Sequence, residues 1–160
     1  MLLQKLRARM SARLKGEKGE AGFTLIELLV VMLILGILAA IAIPAFFNQR
    51  DKGTDAQAKA AARTAQTAIE TYATETGGSY LNATPALLKA IEDTLVTAAG
   101  ADNIITVPAA AAETYTVTST AGTGNSFTIQ RLAGGTIDFD CTVPAENGRG
   151  GCPTNGNWNE

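Results

Sequence analysis

The sequence contains no histidine. That removes the side chain most often used as a general base near neutral pH, and the commonest metal ligand. Cysteine is scarce. Cys141 and Cys152 are the two in the chain, both near its C-terminal end. Two thiols without an imidazole make a poor zinc site. No Ser/His/Asp or Cys/His set can be assembled, and no P-loop sequence is present. These absences point away from an enzyme and from a resident cofactor. Charge is unevenly spread. Residues 1–22 hold six basic and two acidic residues, a net +4, whereas the remainder holds seven basic and thirteen acidic, a net −6. An acidic body of this kind has no net field that attracts nucleic acid, so no direct nucleic-acid binding is expected.

What is present is one long hydrophobic run. Leu28 to Ile43 is sixteen residues without a polar side chain. Extended from Phe23 to Phe47 it reaches twenty-five, interrupted by Thr24, Glu27 and Pro44. About 20 apolar residues cross a bilayer as a helix. The basic segment ahead of the run predicts a cytoplasmic N-terminus, with the acidic remainder on the far side. An ordinary secretory signal is cut after its apolar run, at a small-residue site. Here the basic, Gly-ended segment comes first. A cut after Gly22 would leave the membrane helix on the product and create a new N-terminus at Phe23. Behind such a segment the location is exported and oxidising. A Cys141–Cys152 disulfide is then expected, the alternative being two buried free thiols.

Glu27 is out of place in this run. A carboxylate at the centre of a membrane helix costs about 2.5–3.5 kcal/mol on insertion scales, and much less near the interface. After cleavage it would lie four residues from the new α-amine of Phe23. On parallel, staggered helices that amine and a neighbour's carboxylate can neutralise each other. In a low dielectric the pair is favoured over either charge alone, and it selects one stagger.

From Gln49 the pattern changes. Asp51, Lys52, Asp55, Lys59, Arg63, Glu70 and Glu75 alternate with alanine, while Ala58, Ala61, Ala65, Ala68, Ile69 and Tyr72 recur at three- and four-residue steps. This is an amphipathic helix with a narrow, small-residue face, suited to packing on a sheet. No strong stop intervenes between Phe23 and Thr76. Gly53 is a weak break, Pro44 removes one donor, and Gly77-Gly78 ends the helix. Thr84-Pro85 opens a second helix that Gly100 ends. Tyr115–Thr118, Phe127–Gln130 and Ile137–Cys141 alternate apolar and polar residues, with turn signals at Gly122–Asn125 and Gly134-Gly135. They read as a three-stranded antiparallel meander, to which Ile104–Val107 adds a short edge strand.

The run Gly22-Phe23-Thr24-Leu25-Ile26-Glu27-Leu28-Leu29-Val30-Val31, continued by Gly36 to Pro44, resembles the N-terminal segment of type IV pilins and pseudopilins. The resemblance covers about 30 of 160 residues. It implies cleavage between Gly22 and Phe23 by a prepilin peptidase, N-methylation of Phe23, and pairing of Glu27 with a neighbour's N-terminus. It implies that the helix loosens at Gly36 and Pro44 in the fibre, and that the Cys pair matches the disulfide-bounded loop of many pilins. Its implied partners are identical or related pilin subunits, the peptidase, an assembly platform with its ATPase, and the membrane before assembly.

The expected fold is α+β. A long N-terminal helix has an apolar half that protrudes and an amphipathic half packed on a small antiparallel sheet. Residues 1–22 are a leader that is removed, 23–47 a transmembrane and assembly helix, and 48–160 the amphipathic helix with a globular head. The first functional reading is a major pilin of an extracellular pilus, serving adhesion, twitching motility or DNA uptake. The second is a pseudopilin of a type II secretion or competence apparatus. The third is a single-span membrane protein whose head binds a ligand. Two minor features have bland readings. Asp138 and Asp140 alternate on one strand, which more often makes a solvated face than a calcium site. Asn82-Ala83-Thr84 fits a glycosylation sequon, but a turn followed by an N-cap explains it as well.

Overall fold

The computed structural model describes residues 22–144 and 149–159. The expected leader, up to residue 21, lies outside the described residues. Helix α1 runs Leu25–Glu75, 51 residues with Pro44 inside it. The ring of Pro44 removes one backbone donor, yet the helix continues through it, and through Gly36 and Gly53. The chain divides into two compact units, one ending at Ile43 and one beginning at Pro44.

In the first unit every described side chain is exposed, from Phe23 at 86% to Val30 at 48%. α1 is long and apolar enough, by length and composition, to cross a membrane.

The second unit holds the core. Ala58, Ala62, Ala65, Ala68, Ile69 and Ala73 of α1 are buried, a stripe at three- and four-residue steps. They share one cluster with Tyr115, Val117, Phe127 and Ile129. Small residues on the helix leave room for the large ones of the sheet. Gly77 and Gly78 end α1 in the left-handed region, at φ 73° and 92°, and the Gly78 N–H donates to the Ala73 carbonyl at 2.7 Å. That bond answers a carbonyl which the last helical turn leaves open.

Helix α2 is Pro85–Ile91, capped by Thr84, whose hydroxyl accepts from the Leu87 N–H at 3.3 Å. Asn82 sits in the preceding turn at φ 64°. Sequence reasoning carried α2 on to Gly100; the structure ends it at Ile91. Local bonds explain the early stop. Lys89 Nζ donates to the carbonyls of Asp93 (2.7 Å) and Leu95 (2.9 Å), and the Glu92 carboxylate accepts from the Thr94 N–H and hydroxyl. Such side-chain bonds offer the backbone an alternative to helix. Leu95 is then buried outside any helix.

Four strands follow: β1 Ile104–Ala110, β2 Tyr115–Thr120, β3 Ser126–Arg131 and β4 Ile137–Thr142. They form one antiparallel sheet in the order β1-β2-β3-β4. The meander thus has four full strands rather than three with a short edge. β1 is longer than its alternation suggests because its register shifts between Thr106 and Ala109, around Pro108. Proline has no donor and is tolerated at such an irregularity on an edge. Ser119, Phe127 and Cys141 lie opposite one another across three strands, as do Val117, Ile129 and Phe139.

Glu70 joins α1 to the sheet. Its carboxylate accepts from the hydroxyls of Tyr80 (2.7 Å) and Tyr115 (3.0 Å), and Arg131 stands 3.5 Å away. The two rings meet edge to face at 4.8 Å. Burial, then the bond to Glu70, pushes both phenols above the ordinary tyrosine value. Each phenol therefore keeps its proton longer in the folded state than in the unfolded one. Their contribution is complete below the unfolded value of about 10 and is lost as pH rises beyond it. Alkaline titration followed by ultraviolet absorbance should show Tyr80 and Tyr115 ionising only together with unfolding. Ionisation of both while the fold persists would refute this.

Candidate assembly segment

The N-terminal end of α1 is built by its own sequence. The Thr24 N–H and hydroxyl both donate to Glu27 Oε2, at 2.8 and 2.7 Å. The Glu27 N–H donates back to the Thr24 hydroxyl at 3.3 Å, and the Leu28 N–H donates to the Thr24 carbonyl at 3.2 Å. This is a capping box: the N-cap residue and the third helical residue satisfy each other's free donors. The reading of Glu27 as a pairing group overlooked it, although Thr24-x-x-Glu27 ahead of an apolar run is its sequence signature. A carboxylate in the first turn also meets the positive end of the helix dipole. So Glu27 has partners within its own chain. Both donors from Thr24 use Oε2; no bond to Oε1 occurs among the described residues.

Gly22 and Phe23 precede the helix and are exposed. Gly36 has open space around it, with nothing within 4 Å of the position a Cβ would take. In this unit, then, a capped carboxylate and a bare apolar surface lie side by side. The arrangement can bury area against another apolar helix and offer one carboxylate oxygen to a cation.

The remaining residues singled out from the sequence lie in the second unit. Cys141, on β4, is bonded to Cys152, with 5.9 Å between their Cα atoms. Asp138 and Asp140 are exposed on β4, and Asp138 accepts from the adjacent Phe139 N–H at 2.9 Å. No group of three His, Cys, Asp or Glu side chains that could hold a metal occurs among the described residues. The sequence places Asp55 among the charged residues interleaved with alanine along α1. It is fully buried. A single carboxylate among alanines carries no signal that distinguishes burial from exposure.

Comparison with known proteins bears on the same segment. The model of the prokaryotic N-terminal methylation motif matches residues 18–43. Over 54 residues the chain is 44% identical to the type IV major pilin protein PilA of Myxococcus xanthus, covering 34% of this chain and 24% of that one. Over 75 residues it is 39% identical to the fimbrial protein Q of Moraxella bovis, covering 47% of this chain and 44% of the relative. Over 53 residues it is 40% identical to the type II secretion system core protein G of Pseudomonas aeruginosa, covering 33% and 37%. The matches therefore span less than half the length of each of these relatives. No solved structure matches. The fold and the segment together define a class: a methylation-motif helix joined to a small α+β head. Within that class, the N-terminal segment of the chain is similar to those of type IV pilins and of a type II secretion core protein.

Proposed function

We propose that this chain is a structural subunit, not a catalyst, and that it polymerises through its apolar helix into a type IV pilus. The observation that carries this is the wholly exposed run from Phe23 to Phe47 with a capped glutamate at its start. Each large aliphatic side chain there gains about 1.5–3 kcal/mol on full burial, in lipid before assembly and against neighbouring subunits afterwards. In this reading residues 1–22 are a cytoplasmic leader and residues 23–47 span the inner membrane once. A prepilin peptidase cuts between Gly22 and Phe23 and methylates Phe23. An assembly platform driven by an ATPase then draws the helix into the fibre, where Gly36 and Pro44 are the places it loosens. Glu27 pairs with the Phe23 amine of a neighbour. Adhesion, twitching motility and DNA uptake are the activities such a pilus serves.

A second reading is supported by the similarity to the core protein of a type II secretion system: a pseudopilin in a short periplasmic filament. Shearing cells and identifying the subunit of the released fibres separates the two. Abundant fibres made of this chain support a pilus, and their absence supports a pseudopilin.

Intact-mass measurement of the mature protein tests the processing step. The expected terminus is a Phe23 heavier by one methyl group. A chain that still begins at Met1 would remove the processing step and with it the polymerisation mechanism.

A further inference from the structure

The C-terminal segment is held by more than its disulfide. The Gly151 N–H donates to Asp55 Oδ2 at 2.7 Å, and the Gly151 carbonyl accepts from Lys59 Nζ at 2.6 Å. Asp55 and Lys59 lie one turn apart on α1, so a single helix face grips both polar groups of one residue. That residue adjoins Cys152. The Asp55 carboxylate also accepts from Thr123 Oγ1 (2.5 Å) and Asn125 Nδ2 (2.8 Å), which belong to the β2–β3 turn. Asn125 Nδ2 reaches the Arg149 carbonyl at 3.3 Å, and the Cys152 N–H donates to the same carbonyl at 2.8 Å. Lys59 in turn stands 5.3 Å from the centre of the Phe127 ring and 5.9 Å from that of Trp158.

The glycines fit this arrangement. A methyl group at Gly151 would lie 3.0 Å from Asp55 Cβ, tighter than ordinary contact. Gly150 has φ 51°, and a methyl group there would run into the Asp55 carboxylate. A buried carboxylate must be compensated by hydrogen bonds, and here they come from the sheet turn and the C-terminal segment. The three elements are therefore coupled through one side chain.

We infer that Asp55 and Lys59 form a backbone clamp that docks Gly151 on α1 and so positions Cys152 beside Cys141, holding the C-terminal segment independently of the disulfide. Asp55 is the positioning residue and Lys59 its partner. In oxidation by glutathione disulfide, two protein thiols would give one protein disulfide and two molecules of glutathione. The clamp favours that product because it holds the segment in the bonded geometry in advance. Linkage is reciprocal, so the disulfide strengthens the clamp by the same factor.

Arg149 is a built-in reporter, exposed and two residues ahead of the clamped Gly151. The test uses the full chain in detergent micelles. With the clamp intact, the Arg149–Gly150 bond resists trypsin. In Asp55→Asn with the disulfide formed, cleavage there is expected to accelerate by about tenfold or more, because proteolysis tracks the opened fraction. Cuts at Lys89 and Arg131 should keep their wild-type rates, which a general loss of structure would not allow. Gly151→Ala should reproduce the Asp55→Asn pattern. Under the clamp, a Cys141→Ser/Cys152→Ser chain stays protected at Arg149. With glutathione, the equilibrium constant for disulfide formation should fall about tenfold in Asp55→Asn. If Asp55→Asn is cut everywhere, the cysteine-free chain decides alone. Rapid cleavage at Arg149 in that chain, or wild-type protection in Asp55→Asn and Gly151→Ala, would overturn the clamp.

Discussion

Replacing Glu27 with alanine is expected to leave the chain inserted in the membrane and to reduce surface filaments by about tenfold or more, the factor that ~1.4 kcal/mol supplies per contact. The physical case has two parts. In the isolated subunit the carboxylate is satisfied by Thr24, so its removal costs a helix cap, about 1 kcal/mol, and not the fold. In the proposed fibre the same removal strands a neighbour's amine in an apolar bundle. Leaving one charge of a buried pair without its partner costs about 3–5 kcal/mol. Glu27→Gln separates these parts. Its amide oxygen can still accept from the Thr24 N–H, while its charge is gone. Quantitative immunoblotting of sheared fibres, normalised to membrane-inserted subunit, provides the measurement. Wild-type fibre yield in both variants would eliminate the charge pair.

The second large effect lies in the head. Phe127→Ala is expected to cost about 3–5 kcal/mol, since a large aromatic is deleted from a site that cannot collapse. Phe127 is fully buried and lies opposite both Ser119 and Cys141. Its ring meets Trp158 edge to face at 5.9 Å and lies beneath Lys59. The loss therefore removes a sheet contact, an aromatic pair and the surface on which one arm of the proposed clamp rests. For a head of this size the loss corresponds to a fall in Tm of more than about 10 °C. Thermal unfolding followed by circular dichroism would check this. An unchanged midpoint would mean that the core is centred elsewhere.

Two features of the head follow an instructive contrast. The alanine stripe of α1 was readable because burial of a helix face imposes a 3.6-residue period on composition. Ala58, Ala65, Ala68 and Ile69 lie in the core as that period requires. The end of α2 was not readable in the same way. Thr84-Pro85 marks its beginning chemically, but its end depends on Lys89 reaching the carbonyls of Asp93 and Leu95, contacts that exist only once the chain has turned. β1 lies between these cases. Its alternation is visible at Ile104–Val107, and Pro108 hides the remainder until pairing with β2 shows that the register shift absorbs it.

The opening segment shows what local sequence decides. An apolar span, a glycine ahead of it and a glutamate near its start are chemical statements that need no tertiary context. Membrane-spanning length comes from the run itself, and the capping box comes from residues three apart. Asp55 shows the opposite. Its sequence neighbours are those of a solvated helix face, and its composition predicts nothing more. Burial came from Thr123, Asn125 and Gly151, which lie far along the chain and converge on it only when the sheet and the C-terminal segment are in place. Period and capping act over a few residues and are written in order. Desolvation of a charge depends on what the rest of the chain brings to it, and the tertiary structure alone decides that.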